Sequence, residues 1–235
     1  MPDNKDLLLA IDTANERCSA ALLRLSDGGF AALREDEIGR GHAERLMDML
    51  QSVLDEAGAD WSEVAKLAVC IGPGSFTGIR VGVAAARGLE ISLGVPSVGI
   101  STLEALAEPE WGEGPVLAVH DARRGEVYAA LFAQGGETLR EPEALAPDAL
   151  PAFVASAGAG LRVVGTGVAI AAGVLGEGAA LFLAERRFAS IAALARLAAK
   201  RAPDGPPLPL YLRGADAKAQ VPLGLRAAPL VTNPL

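Results

Sequence analysis

The sequence predicts an α/β protein made of two related lobes, and three observations carry that expectation. Apolar runs of strand length alternate with segments of helical periodicity. The opening of the chain recurs: Leu9-Ala10-Ile11-Asp12 has a counterpart in Leu117-Ala118-Val119-His120, and Ala20-Ala21-Leu22 in Ala129-Ala130-Leu131, at offsets of 108 and 109 residues. Later, Leu67-Ala68-Val69-Cys70-Ile71-Gly72-Pro73-Gly74 is echoed by Leu161-Arg162-Val163-Val164-Gly165-Thr166-Gly167. Matches in the same order point to an internal duplication. The division falls into residues 1–100 and 101–220, joined near Ser101–Pro115. Residues 221–235 carry Pro222, Pro229 and Pro234 and no periodicity, the composition of a flexible tail.

The elements follow in order. Leu7–Ile11 and Ala20–Leu25 flank the polar turn Asp12–Arg17, the spacing of an antiparallel hairpin. Asp27 to Arg40 is polar and shows no element. From Gly41 to Ala57 the period turns helical, with Ala43, Leu46, Leu50, Val53 and Ala57 in one stripe and Gly58 as the stop. Leu67–Ile71 reads as a buried strand, Gly72–Ser75 as a tight turn and Phe76–Leu93 as a second helix. Val95–Ile100 is a further short strand, and Ser101 caps a small helix over Thr102–Ala107. Ser190–Lys200 is an Ala/Leu helix with Arg196, Lys200 and Arg201 toward its negative end, followed by an extended proline-rich segment that reaches Tyr211-Leu212-Arg213.

Composition excludes several classes. The chain has 235 residues, 51% of them hydrophobic, which is too apolar for disorder. Its net charge of −8, without a Lys/Arg cluster, argues against a protein that holds nucleic acid by itself. Cys18 and Cys70 make no disulfide framework and read as single buried thiols in a reducing compartment. The apolar run Leu7–Ile11 is too short for a signal-peptide core. The stretch Val163–Ala184 is interrupted by five glycines and Glu177, so it breaks into shorter pieces. A cytoplasmic protein without a membrane segment is expected.

The strongest local feature is Ile71-Gly72-Pro73-Gly74-Ser75-Phe76-Thr77-Gly78-Ile79-Arg80, a strand, a glycine turn and a helix start. That arrangement can offer backbone N–H groups to an anion, so Gly72, Gly74, Ser75 and Thr77 are candidate nucleotide or anion contacts. It is no Walker A loop, since Gly78 stands where the lysine belongs, and Thr77 breaks GxGxxG. A purely structural turn is the open alternative. Within the helix, Gly78, Gly82 and Ala86 recur every four residues, among Val81, Val83, Ala84, Ala85 and Leu89. A helix apolar around most of its circumference must be covered on more than one side, by its own chain or by a partner. The helix Gly41–Ala57 is similar, because Met47, Met49 and Leu54 widen its apolar surface.

Few residues carry chemistry. His42, at the start of that helix, reads as a hydrogen-bonding residue rather than a base or a ligand. Asp12 ends the first strand, where a catalytic carboxylate could stand, and His120-Asp121 is its counterpart. Neither is followed by glycines that would admit phosphates. No Cys/His cluster or HxxxH pair is present, and Ser75 lacks the GxSxG elbow.

Several segments resemble the TsaB (also called YeaZ) family: LLLAIDTANERCSAALL at Leu7–Leu23, GHAERLMDML at Gly41–Leu50 and IGPGSFTGIRVGVAAARGLEISLGVPSVGISTLEALA at Ile71–Ala107. DARRGEVYAALF at Asp121–Phe132 and PLYLR at Pro209–Arg213 complete the set. The resemblance implies an actin-like ATPase (ASKHA, ribonuclease H-like) fold of two duplicated lobes. It also implies a non-catalytic scaffold that binds and activates TsaD, joined by the ATPase TsaE. The reaction is threonylcarbamoyl transfer to N6 of adenosine 37 in tRNAs reading ANN codons. TsaD carries a metal-binding histidine pair after its Gly-Pro-Gly helix; the matching stretch here, Gly99–Leu106, has no histidine.

On this reading the chain supplies no catalytic residue, no metal site and no intrinsic cofactor, with ATP or ADP admitted only at the assembled complex. Contact with tRNA is through the complex. The two helices with excess apolar surface are expected to form the TsaD interface through Leu46, Met49, Leu50 and Val53 of the first and Ile79, Gly82, Val83 and Ala86 of the second. Gly82→Leu is then expected to block pairing while the monomer still folds. The same surface would join two copies when TsaD is absent. The alternative is a nucleotide-dependent transferase, or a remnant of the glycoprotease-like enzymes, acting through Asp12 and the Gly72–Ser75 loop.

Overall fold

The computed structural model describes residues 5–176 and 178–213. The tail predicted over 221–235 lies outside the described residues. Strands β1 (Leu7–Asp12), β2 (Arg17–Arg24) and β3 (Phe30–Glu37) form an antiparallel meander. Strand β4 (Val64–Gly72) runs parallel to β1, and β5 (Ser97–Ser101) parallel to β4. The sheet order is therefore β3-β2-β1-β4-β5. The second half repeats it: β6 (Val116–Arg123), β7 (Glu126–Phe132) and β8 (Thr138–Leu145) form a meander, with β9 (Arg162–Val164) and β10 (Leu181–Phe182) added in parallel. Its order is β10-β9-β6-β7-β8. A meander with two parallel strands added, present twice, is the ribonuclease H-like sheet of the actin-like ATPase fold.

The duplication can be followed residue by residue. Leu9 faces Leu22 across β1 and β2, and Leu117 faces Leu131 across β6 and β7, so the sequence repeat is a true structural equivalence. The third sequence match is displaced. Leu67 pairs with Leu9, whereas Val163 pairs with Leu117, so the partner of Leu67 is Val163 and not Leu161. A slip of two residues keeps every side chain on its own face, so apolar pattern alone cannot detect it.

Helices α1 (His42–Ala57) and α2 (Phe76–Leu93) follow β3 and β4. Gly58 and Gly94 close them in the left-handed conformation that glycine favours, at φ 61° and 64°. Helix α3 (Thr102–Ala107) starts at Ser101, whose hydroxyl accepts from the Leu103 amide at 3.2 Å. Helices α4 (Leu150–Phe153), α5 (Val168–Leu175) and α6 (Ile191–Lys200) complete the set. Although α6 lies within residues 101–220, it packs against β1, β2, β4 and β5 of the first sheet, while α3 packs against β6 and β7 of the second. One core cluster joins the lobes, running from β1 and β4 through α3 and α6 to Val116, Ala118 and Ala130, and a second lies within the second lobe around Leu117, Val119 and Val163.

The strands β3 and β8 fall where no strand was expected, or beyond it. Both are sheet edges in which half the residues are polar and at most one is buried, so neither shows an apolar alternation. The stretch 163–184 divides into β9, α5 and β10, and among the described residues no helix is long and apolar enough to cross a membrane. Both cysteines are buried thiols, and burial pushes Cys18 up to about 11.

After α6 the chain becomes a strap across both lobes. The Leu210 amide donates to the Ile71 carbonyl at 2.9 Å, and Arg80 of α2 donates to the Tyr211 hydroxyl at 2.9 Å. Arg213 then reaches the second lobe, donating to the Arg123 carbonyl at 3.0 Å, pairing with Glu126 and lying over the Tyr128 ring.

Candidate functional site

A cleft of about 880 Å³ separates the lobes. The first lobe contributes the β1–β2 turn, the start of α1 from Gly39 to Glu44 and the start of α2 from Pro73 to Gly78; the second contributes His120–Arg123, Tyr128 and Thr166. Each wall is a turn at the end of a central strand, which is where a duplicated α/β fold places ligands.

On the first wall two turns interlock. The Ser75 amide donates to the Ala14 carbonyl at 2.7 Å, and the Thr13 hydroxyl donates to the Gly78 carbonyl at 2.7 Å. A Cβ on Gly74 would lie 2.1 Å from the Ala14 carbonyl oxygen, and one on Gly78 would lie 2.0 Å from that of Thr13. These glycines let backbone approach backbone within the chain itself. Gly72 stands behind the turn at φ +96°, outside the cleft lining, while Gly74, Ser75 and Thr77 face the cleft. The proposed contact set therefore loses Gly72, and the Ser75 amide is already taken.

Asp12 is 2% exposed and does not line the cleft. Its carboxylate accepts from the Ala14 amide at 2.8 Å and the Asn15 side chain at 3.2 Å. Burial raises its pKa, opposed by the Ala14 hydrogen bond. It holds the β1–β2 turn, and a role as an exposed catalytic carboxylate does not fit this burial. His42 behaves as expected, with Nε2 donating to the Arg17 carbonyl at 3.1 Å.

The second wall holds a pair that sequence reasoning missed. Thr166 accepts the Asp121 amide at 2.9 Å, which leaves its hydroxyl to donate to His120 Nδ1 at 2.8 Å. The Thr166 amide also points at Nδ1, at 3.3 Å. Nδ1 is thus an acceptor, and the network assigns the ring proton to Nε2. Burial lowers His120 to about 4, keeping the imidazole neutral at pH 7. Forty-six residues separate the partners, so no local pattern signals them.

Comparison with solved structures decides the family. YeaZ from Pseudomonas aeruginosa is 33% identical, with a TM-score of 0.69 over 82% of this chain and 90% of that one. The chain belongs to the YeaZ (TsaB) family. A second Pseudomonas aeruginosa structure, described as similar to peptidase YEAZ, matches at 33% identity and TM-score 0.72, covering 88% of this chain and all of that one. Among YeaZ relatives by sequence, the Escherichia coli K12 protein named tRNA threonylcarbamoyladenosine biosynthesis protein TsaB is 43% identical over 128 residues, 53% of this chain. That alignment spans 54% of the relative's length, and the one with Bacillus subtilis TsaB also spans 54%. An uncharacterized protein of Mycobacterium tuberculosis is 35% identical over 214 residues, 90% of this chain and 93% of the other. The family description "TsaD: tRNA N6-adenosine threonylcarbamoyltransferase" matches residues 36–161.

The interface expected on a YeaZ-type helix pair needs correction. Leu46, Met49, Leu50, Val53, Ile79, Val83 and Ala86 are all between 0 and 4% exposed, and Gly82 is buried with them. These residues form the core-facing stripes of α1 and α2, packed on the chain's own sheet. A Cβ at Gly82 would lie 2.5 Å from the Thr13 hydroxyl, so Gly82→Leu would disturb the fold itself and cannot test pairing selectively. The outward rows carry other apolar residues: Met47 on α1, 50% exposed, and Phe76 and Ile91 on α2, 55% and 84% exposed. Sequence pattern marked both helices as apolar on more than one side. It could not rank their two apolar faces, because both read as hydrophobic.

Proposed function

We propose that this chain is the non-catalytic subunit of a tRNA threonylcarbamoyladenosine-forming complex, binding TsaD through the outward faces of α1 and α2 and joined by TsaE. The reading is supported by membership of the YeaZ family and by the names of the TsaB relatives. The observation that carries it furthest is Ile91, a large apolar side chain 84% exposed on a helix whose other face is already buried. Exposed apolar side chains on paired helices fit an interface between proteins. Without TsaD the same faces would pair two copies of this chain. Nucleotide, where one is bound, belongs to the assembled complex.

The test is reconstitution of tRNA threonylcarbamoylation with cognate TsaD, TsaE and threonylcarbamoyl-adenylate, with and without this chain. Modification that requires the chain, which alone is inert, is the expected result. Equal modification without it overturns the reading. The doubly substituted Met47→Asp/Ile91→Asp chain should lose binding to TsaD by about 2 kcal/mol or more per buried anchor. Its unfolding midpoint should stay within about 0.5 kcal/mol of the parent, because neither side chain belongs to the core.

A further inference from the structure

Three segments far apart in the chain meet on the rim of the cleft: GSFTGIR at the start of α2, DARRGEVY at the β6–β7 hairpin and PLYLR in the strap. Pairing through α1 and α2 leaves the last two without a task. On the first lobe the strap is held by the Leu210–Ile71 backbone bond and by Tyr211, whose hydroxyl accepts from Arg80 at 2.9 Å and whose ring lies 5.7 Å from that of Phe76. On the second lobe Arg213 donates to the Arg123 carbonyl at 3.0 Å, pairs with Glu126 and lies over the Tyr128 ring at 5.5 Å. The gripped carbonyl belongs to a turn in which Arg123 and Arg124 stand at φ 63° and 56°, a region that disfavours residues with side chains and persists where surroundings hold it. Only two residues of chain, a reach of at most about 7 Å, separate Tyr211 from Arg213. While both hold, the lobes have no slack to part.

The lobes are tied a second time at the other end of β6. Glu110, with 11% of its side chain exposed, pairs with Arg162 of β9 and with Arg186, each at 2.7 Å, and Glu108 pairs with Arg196 of α6 at 2.6 Å. Arg162 stands beside Val116, the first residue of β6, whereas Arg213 holds Arg123, the last. Across the eight residues of β6 the two ties are about 23 Å apart, at roughly 3.3 Å per residue. The core shared through α3 and α6 supplies the pivot between the lobes. Turning about it would open the rim, where Thr77 and Val81 face Arg123 and Tyr128 across the cleft. We infer that the strap is a latch: Tyr211 and Arg213 fix the opening of the cleft, and the lobes turn relative to one another only when Arg213 releases the β6–β7 hairpin.

The test is the distance across the cleft in the full-length chain. Ala43→Cys on α1 and Ala169→Cys on α5 are exposed positions, one on each lobe, for nitroxide labels, while Cys18 and Cys70, 0 and 1% exposed, stay unlabelled. Double electron–electron resonance should give one narrow distance in the labelled parent. Arg213→Ala should add a second, longer component. Glu126→Ala, which removes a half-exposed partner of Arg213 and leaves the strap on the first lobe, should do the same. Unchanged far-ultraviolet circular dichroism separates release of the latch from unfolding. The inference is overturned if the parent already shows both distances, or if both variants reproduce the parent's single one. Neither result depends on TsaD, so failure of the reconstitution above leaves the latch standing, and the reverse also holds.

Discussion

Gly78→Ala should destabilise the protein by about 3 kcal/mol, whereas Gly88→Ala on the same helix should stabilise it by roughly 0.5–1 kcal/mol. Both residues lie within α2, and their intrinsic helix preferences are identical. Only their surroundings differ. A methyl at 78 would sit 2.0 Å from the Thr13 carbonyl oxygen, a backbone atom that cannot move without breaking the Thr13–Gly78 hydrogen bond and shifting the β1–β2 turn. A methyl at 88 would meet nothing within 4 Å and would remove glycine's excess backbone entropy. Urea unfolding midpoints of the two variants decide the matter. A Gly78→Ala variant as stable as the parent would mean that the two turns do not interlock.

Stability should fall as pH drops from 6.5 to 4, and His120 should account for up to about 3 kcal/mol of that loss. The sign follows from the direction of the shift. Burial holds the folded ring at about 4, while an unfolded histidine titrates near its ordinary value. Between those values the unfolded chain binds a proton that the folded chain refuses, so protons favour unfolding. Above 6.5 the contribution is fully present. The ring faces the cleft, and residual solvation there makes the figure an upper value. His120→Gln keeps an acceptor for the Thr166 amide and a donor toward the cleft, but does not titrate. Comparing urea midpoints at pH 7.5 and 4.5 for parent and variant cancels the carboxylates common to both. If both lose the same amount, His120 is not the group responsible.

Much of this architecture is legible in the chain because its signals are local or repeated. The stripe Leu46, Leu50, Val53 with its Gly58 stop defines α1, and Ser75 with its glycine turn defines the start of α2. The repeat of Leu9–Ile11 in Leu117–Val119 reveals two lobes before any pairing is known. The edge strands β3 and β8 are not legible, since an exposed edge needs no apolar period. Nor is the register of β9, which a two-residue slip leaves unchanged in pattern.

The site divides in the same way. Residue types, spacing and the internal repeat determined the α/β class with two lobes, the helices α1 and α2 and the absence of a Walker loop, because each depends on neighbours within a turn or two of chain or on a pattern that recurs along it. Tertiary structure alone decided which face of α1 and α2 is buried, that Gly74 and Gly78 admit the backbone of the β1–β2 turn, and that His120 meets Thr166. Those outcomes depend on which distant segments arrive against a given residue. Packing contacts and burial energies act between positions that the folded chain, and not the order of residues, makes adjacent.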